Sequence, residues 1–300
     1  RWQPDFAFGY GYPVLNYYAP VYYYPPALLQ LLGIEVTTAM RLALAGGYAA
    51  SGVGAYCLTR RWAGPVPALA GAVVYQFFPY RLYDLFVRGA LPEFAAFLWL
   101  PWIVLLTLRA TDRWNPTVGS LHPRNAVRFL PPAMAWSGLI LTHNLTAFMA
   151  AAGLLLALPA LAYFQNAKND RPSFGVRLRQ SCWCWLGPLG LGALLSAWYV
   201  VPALLEARWV ALGGAGTSDG YTNHFAAVGT LFDWSWRFPY PDAAARTVPL
   251  PAYVLLFMAA AAIGAGTSRQ SQKVSQRKAT IVAAIVTLVA LWLTTASSAF

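Results

Sequence analysis

The sequence predicts an all-α fold, a polytopic transmembrane helical bundle, on three observations. Hydrophobic residues make up 58% of the 300 positions and charged residues only 10%, with mean hydropathy +0.48. A soluble domain of this size carries about 25% charged residues. The apolar residues come in runs close to the ~20 residues that span a bilayer core. The basic residues concentrate in alternate connections between those runs, as the positive-inside rule requires of one membrane face.

The elements follow in order. Residues 1–35 form an aromatic, proline-punctuated segment with Tyr10, Tyr12, Tyr17, Tyr18, Tyr22, Tyr23 and Tyr24, broken by Pro13 and Pro20 and followed by Pro25-Pro26. Proline and polar backbone exposed to lipid are costly, so this segment is not a span. It reads as a loop at headgroup level, either an aromatic belt or a substrate-facing platform, since Tyr buries a ring and keeps its hydroxyl wet. Eight apolar runs follow, at 36–59, 63–80, 91–108, 127–142, 144–164, 182–205, 248–266 and 279–296. The run at 127–142 is short, about 24 Å of helix, and so starts earlier or sits in a thinned region. Its Pro131-Pro132 pair suits a first helical turn better than a helix middle. The whole reads as one transmembrane domain: a loop at 1–35, six helices over 36–205, a second loop at 206–247 and two helices in 248–300. It begins at Arg1 and stops just past an apolar run, which reads as an internal piece of a longer protein.

Charge sets the orientation. Arg60 and Arg61, then Arg109, Arg113, Arg124 and Arg128, then Lys168, Arg171, Arg177 and Arg179, then Arg269, Lys273, Arg277 and Lys278 occupy four connections that alternate with the others. Those connections hold only two acids, Asp112 and Asp170; the other acids fall on the opposite side. The basic face is therefore cytoplasmic, and 1–35, 81–90, 143–144 and 206–247 are extracytoplasmic. The net charge of +11 follows from this bias and points to no nucleic-acid partner. Cys57, Cys182 and Cys184 all sit in apolar runs and read as small buried side chains.

No Gly-rich phosphate loop, H-E-x-x-H, G-x-S-x-G or paired CxxC is present. The candidates for chemistry are ionisable groups at the outer ends of the runs. Residues 80–93 hold Arg81, Asp84, Arg88 and Glu93. Asp84 and Arg88 are four apart, and Arg81 three before Asp84, so a helix would place all three on one face. They read either as a solvated ion pair or as a phosphate site with a carboxylate beside it, Arg being matched to phosphate by its donor fork. Arg41 lies inside the first run and either snorkels or turns inward. His143-Asn144 makes a tight outer turn, and Glu206 ends a run at the outer surface.

These residues occur in a familiar order. Phe8-Gly9-Tyr10-Gly11-Tyr12-Pro13, Asn16-Tyr17-Tyr18-Ala19-Pro20, Pro79-Tyr80-Arg81, Val87-Arg88-Gly89-Ala90, Leu141-Thr142-His143-Asn144 and Ala197 to Glu206 recur together in one family. The chain resembles the bacterial multi-pass membrane proteins named for a 6-pyruvoyl-tetrahydropterin synthase-related domain, which look like distant members of the GT-C glycosyltransferase superfamily, alongside YfhO-like proteins. The domain name does not carry the activity over. Soluble pterin synthases use a zinc-binding His cluster, and this chain has three His in all. The resemblance implies a GT-C-like enzyme of the bacterial plasma membrane that transfers sugar from a polyprenyl-phosphate donor to an extracytoplasmic glycan or lipid acceptor. It implies Asp5 as the first-loop acid and Asp84 or Glu93 as the second. Arg81, Arg88, His143 and Asn144 would hold the donor phosphate, and Tyr10, Tyr17, Tyr18 and Glu206 would contact sugar or acceptor. Transfer needs a base and positive charge on the leaving phosphate. An oxygen-only ligand set, with Asp5 and Asp84, would suit Mg2+ or Mn2+ rather than Zn2+. The alternatives are a non-catalytic component of polysaccharide assembly or export, and a lipid or glycan transporter.

Overall fold

A computed structural model describes residues 3–6, 8–11, 13–112, 123–164 and 174–206. The expected helices at 248–266 and 279–296 and the loop at 207–247 lie outside the described residues. Among those described there is no β-strand, as the all-α expectation requires.

The N-terminal segment is built of short turns: α1 (Val14–Tyr17), a 3-10 turn (Pro20–Tyr22) and α2 (Tyr24–Leu31). Proline at the first turn of the 3-10 turn and of α2 removes donors that would be unsatisfied there anyway. Glu35 then caps α3 (Val36–Thr59), its two carboxylate oxygens accepting from the backbone N–H of Thr37 and Thr38 at 2.9 Å each. Those bonds hold the Glu35 carboxyl down to about 2.

The apolar run at 63–80 ends early. α4 spans Pro65–Gln76, and Phe78, extended ahead of Pro79, breaks it. Twelve residues reach about 18 Å, short of a bilayer core. α5 (Pro79–Tyr83) passes into a π-turn (Asp84–Arg88) closed by Gly89 at φ 61°, where a side chain would be strained. α6 (Leu91–Ala96) and α7 (Trp99–Asp112) follow.

α8 spans Pro123–Thr142 and carries Pro131 and Pro132 inside it. The pair is thus well past the first turn, contrary to the sequence reading. The helix runs on through them while packed against α7, α9 (Asn144–Phe164) and α10 (Phe174–Leu195), and Pro132 is fully enclosed. Neighbouring helices allow Pro inside a membrane helix. The run at 182–205 is broken rather than straight: α10 meets α11 (Ala197–Glu206) at 73°. At the break, Ser196 Oγ donates to Gly192 O at 2.9 Å and pairs with Ser137 Oγ at 2.9 Å.

Among the described residues one helical stretch, Leu91–Asp112, is by itself long and apolar enough to cross a membrane, and the bent α10–α11 pair makes a second. The described residues thus form a helical bundle with one or two such stretches.

The core lies where α6, α7, α8 and α9 meet, around Ala96, Ile103, Trp136, Leu139 and Ala147. Trp102 Nε1 donates to Ala50 O at 3.0 Å, tying α7 to α3. Arg61, just past α3, pairs with Asp112 at the end of α7 at 2.7 Å. One end of the molecule thus carries Arg61 and Asp112, and the N-terminal turns, the 79–93 segment and the α8–α9 turn gather at the other.

Candidate functional site

The π-turn decides which charges meet. Its wider winding brings Arg88 back onto Asp84, Nη1 to Oδ1 at 2.6 Å. The same Nη1 reaches Glu93 Oε2 on α6 at 3.0 Å and the Tyr80 hydroxyl on α5 at 2.9 Å. Tyr80 in turn donates to Glu93 Oε1 at 2.5 Å. One guanidinium therefore joins two carboxylates and a phenol from three adjoining elements.

Asp84 is the buried member, with 0% of its side chain exposed, and its Oδ2 has no hydrogen-bond partner. Burial pushes its carboxyl up to about 6; the Glu93 charge adds to this and Arg88 opposes it. Burial, with the Glu93 bond and the nearby carboxylates, raises the Tyr80 phenol well above its ordinary range. Asp84 therefore exchanges its proton close to neutrality, as a general base must.

His143, in the α8–α9 turn, lies within electrostatic reach of Glu93 and Arg88. Its Nδ1 accepts from the Thr146 N–H at 3.3 Å and pairs with Thr146 Oγ1 at 2.7 Å, which leaves the neutral ring's proton on Nε2. Burial holds His143 below its usual value; Glu93 opposes and Arg88 reinforces the effect.

The chain neighbours of these groups line an apolar groove of about 400 Å³. Phe94, Ala95 and Thr142 lie beside Glu93 and His143 in sequence, and the groove runs on between Leu42–Ala50 of α3 and Leu98–Trp99, with Tyr22 and Pro25 at its N-terminal wall. Trp99 Nε1 fixes the Thr142 hydroxyl at 2.9 Å.

A family model described as the 6-pyruvoyl-tetrahydropterin synthase related domain, a membrane protein, matches residues 15–299. The chain belongs to this family of membrane proteins. No curated protein and no solved structure matches it.

Within this family member the expected site residues separate. Asp84, Arg88, Glu93 and His143 come together. Asp5 lies in an exposed turn and makes no hydrogen bond or ion pair to them among the described residues. Tyr10 and Tyr18 are exposed, and the side chain of Tyr17 lies outside the described part. Asn144 is exposed at the start of α9. Glu206, at the end of α11, accepts a hydrogen bond from Asn16 Nδ2, which joins the two ends of the described chain. Arg41 is exposed on α3. Cys57, Cys182 and Cys184 are all unbridged, and Cys184 is buried.

Arg81 leaves the cluster altogether. Only 1% exposed, it donates to Gln76 Oε1 at 2.6 Å and Ser51 Oγ at 3.2 Å. The helical spacing placed it beside Asp84, but α5 gives way to the π-turn between them, and Arg81 faces the rings of α3, α4 and α6 instead.

Among the described residues no three His, Cys, Asp or Glu side chains converge. The space between Asp84 and Glu93 is taken by the Arg88 guanidinium, so the cation that joins these carboxylates is the protein's own.

Sequence reasoning missed Tyr80 as a partner, and it missed Ser51, Gln76 and Tyr48 around Arg81. The one signal for them was the i, i+3 spacing of Tyr48 and Ser51, which puts two polar groups on one face of the middle of α3.

Proposed function

We propose that this chain is a GT-C-like membrane glycosyltransferase, acting on a polyprenyl-phosphate-linked sugar at the extracytoplasmic face of the bacterial plasma membrane. The observation that carries the reading is the buried Asp84 carboxylate, one oxygen unpartnered, paired with Arg88, with an apolar groove lined by Phe94 and Ala95, the residues that follow Glu93. The GT-C kinship comes from the sequence resemblance.

In this reading the polyprenyl chain lies in the groove and its phosphate faces the cluster. Residues 1–35 and 81–90 are extracytoplasmic, as the basic connections imply. Asp84 takes the proton of the acceptor hydroxyl, and the freed oxygen attacks the anomeric carbon. The bond from that carbon to the phosphate oxygen breaks, and the lipid phosphate leaves with the electron pair. Arg88, released from Glu93, offsets the new charge on the phosphate, and the Nε2–H of His143 is a second donor nearby. Tyr80 and Glu93 hold Arg88 until then.

A second reading, a non-catalytic component of polysaccharide assembly or export, is favoured by the charge balance. Arg88 is already shared by two carboxylates, and a phosphate must compete with both.

The test is release of lipid phosphate from polyprenyl-phosphate sugars by the full-length protein in detergent, wild type against Asp84→Ala. Release that disappears in the variant supports the enzyme. Bound lipid-linked glycan with no release from any donor moves the assignment to the second reading.

A further inference from the structure

Arg81 is a cation without an anion. Among the described residues no carboxylate pairs with it, and its Nε has no partner. Its guanidinium carbon lies 4.9 Å from the Tyr48 ring centroid, 5.1 Å from Tyr75, 5.0 Å from Phe94 and 5.3 Å from Phe97. The faces of four rings stand in for the counter-charge. Both Nη groups also donate to Ser51 Oγ at 3.2 Å, and Nη1 to Gln76 Oε1 at 2.6 Å.

The acceptors are themselves locked. Ser51 Oγ bonds Tyr48 O and Gln76 Oε1 at 2.7 Å each, Gln76 Nε2 donates to Tyr48 O at 2.6 Å, and the Tyr48 hydroxyl donates to Gln76 O at 2.9 Å. The network turns the Gln76 amide oxygen toward Arg81. A ligand has no open approach to this guanidinium.

α5 is five residues long and cannot hold itself by helical hydrogen bonds. Arg81 links it to α3, α4 and α6 at once, beside the single Tyr80–Glu93 bond to α6. Three residues on, Asp84 has only Arg88 to orient its side chain, so its place depends on where the backbone of α5 delivers it.

We propose that Arg81 is a positioning residue: caged by four aromatic rings, it anchors α5 so that the following turn presents Asp84 and Arg88 as a pair, and it never touches substrate. The importance of that pair rests on the transferase reading; the anchoring does not. Lysine cannot replace it, because one ammonium group lacks the planar fork that bridges Ser51 and Gln76 while stacking on the rings.

The experiment needs no sugar donor. Full-length protein in detergent is treated with a water-soluble carbodiimide, and labelling of Asp84 is measured by peptide mass spectrometry. Asp112, 56% exposed at the opposite end, is the reference. In the wild type Asp84 is labelled far more slowly than Asp112. In Arg81→Lys and Arg81→Met its labelling rises about tenfold as the anchor opens locally, and in Phe97→Leu it rises less, with Asp112 unchanged in all. Thermal melting identifies the variants that remain folded. If both arginine variants fail to fold, Phe97→Leu and Tyr75→Leu carry the test. Wild-type protection of Asp84 in a folded Arg81→Met, or its restoration by Arg81→Lys, overturns the proposal. Loss of protection in a protein that releases no lipid phosphate leaves the anchoring in place and removes only the transferase reading.

Discussion

Asp84 combines burial, a single ion-pair partner and an oxygen with no donor. Its carboxyl, near 3.8 in an unfolded chain, is raised to about 6 in the fold, so the folded protein holds the proton more tightly. Stability therefore falls as pH rises between about 4 and 6 and Asp84 ionises inside the fold. Asn at this position has no such loss, while Arg88 keeps Glu93 and Tyr80. Asp84→Asn should melt at or above the wild-type temperature at about pH 7.5, with the gap closing near about pH 4. A lower melting temperature at about pH 7.5 would mean that the Arg88 pair outweighs the burial of charge. In the transferase reading, lipid-phosphate release should rise with pH and level off above about 6, because the base acts unprotonated. A flat profile over that range would remove Asp84 from the role.

The helices themselves make predictions about close approach. A Cβ at Gly192 of α10 would lie 2.6 Å from Trp136 Cβ and 2.8 Å from Ala133 O of α8, so backbone would have to move. Small residues at such crossings let membrane helices pack closely. Gly192→Ala should cost about 1–3 kcal/mol by overpacking, read as a fall in melting temperature. Gly46→Ala, with nothing within 4 Å of the added Cβ, should not fall at all. The start of α3 offers a separate check. Glu35, with its carboxyl lowered to about 2, keeps its two cap bonds down to pH values well below the ordinary carboxylate range. The stability it contributes is full above about 4.5 and is lost as pH falls through about 2. Glu35→Ala should lower the melting temperature at neutral pH, and Glu35→Asp should retain most of it. Equal melting of the two variants would show that the cap is not limiting.

At the scale of the whole molecule, the Arg61–Asp112 pair and the Asp84 cluster lie at opposite ends of α3 and α7. The proposed orientation puts the first end in the cytoplasm. Single cysteines at Leu32 and Arg60, both exposed, should react with a membrane-impermeant maleimide from opposite sides: Leu32→Cys in intact cells, Arg60→Cys only after permeabilisation. The reverse pattern would invert the orientation and move the Asp84 cluster to the cytoplasm.

Sequence by itself determined what depends on composition and period. The scarcity of charge made the chain helical and membrane-associated, since lipid leaves backbone groups no partner but their own helix. The order of charges at 81–93 marked the segment that holds the Asp84–Arg88–Glu93 cluster. Only the tertiary structure decided how those charges pair. A regular helix would have set Arg81 and Arg88 on the same side as Asp84. The π-turn at Asp84–Arg88 and the ring cage of Tyr48, Tyr75, Phe94 and Phe97 gave the two arginines different partners. The breaks at Phe78 and Ser196 were hidden for a like reason. Apolar content continues across them, so a pattern of hydrophobicity cannot register a bend that proline restriction and packing impose.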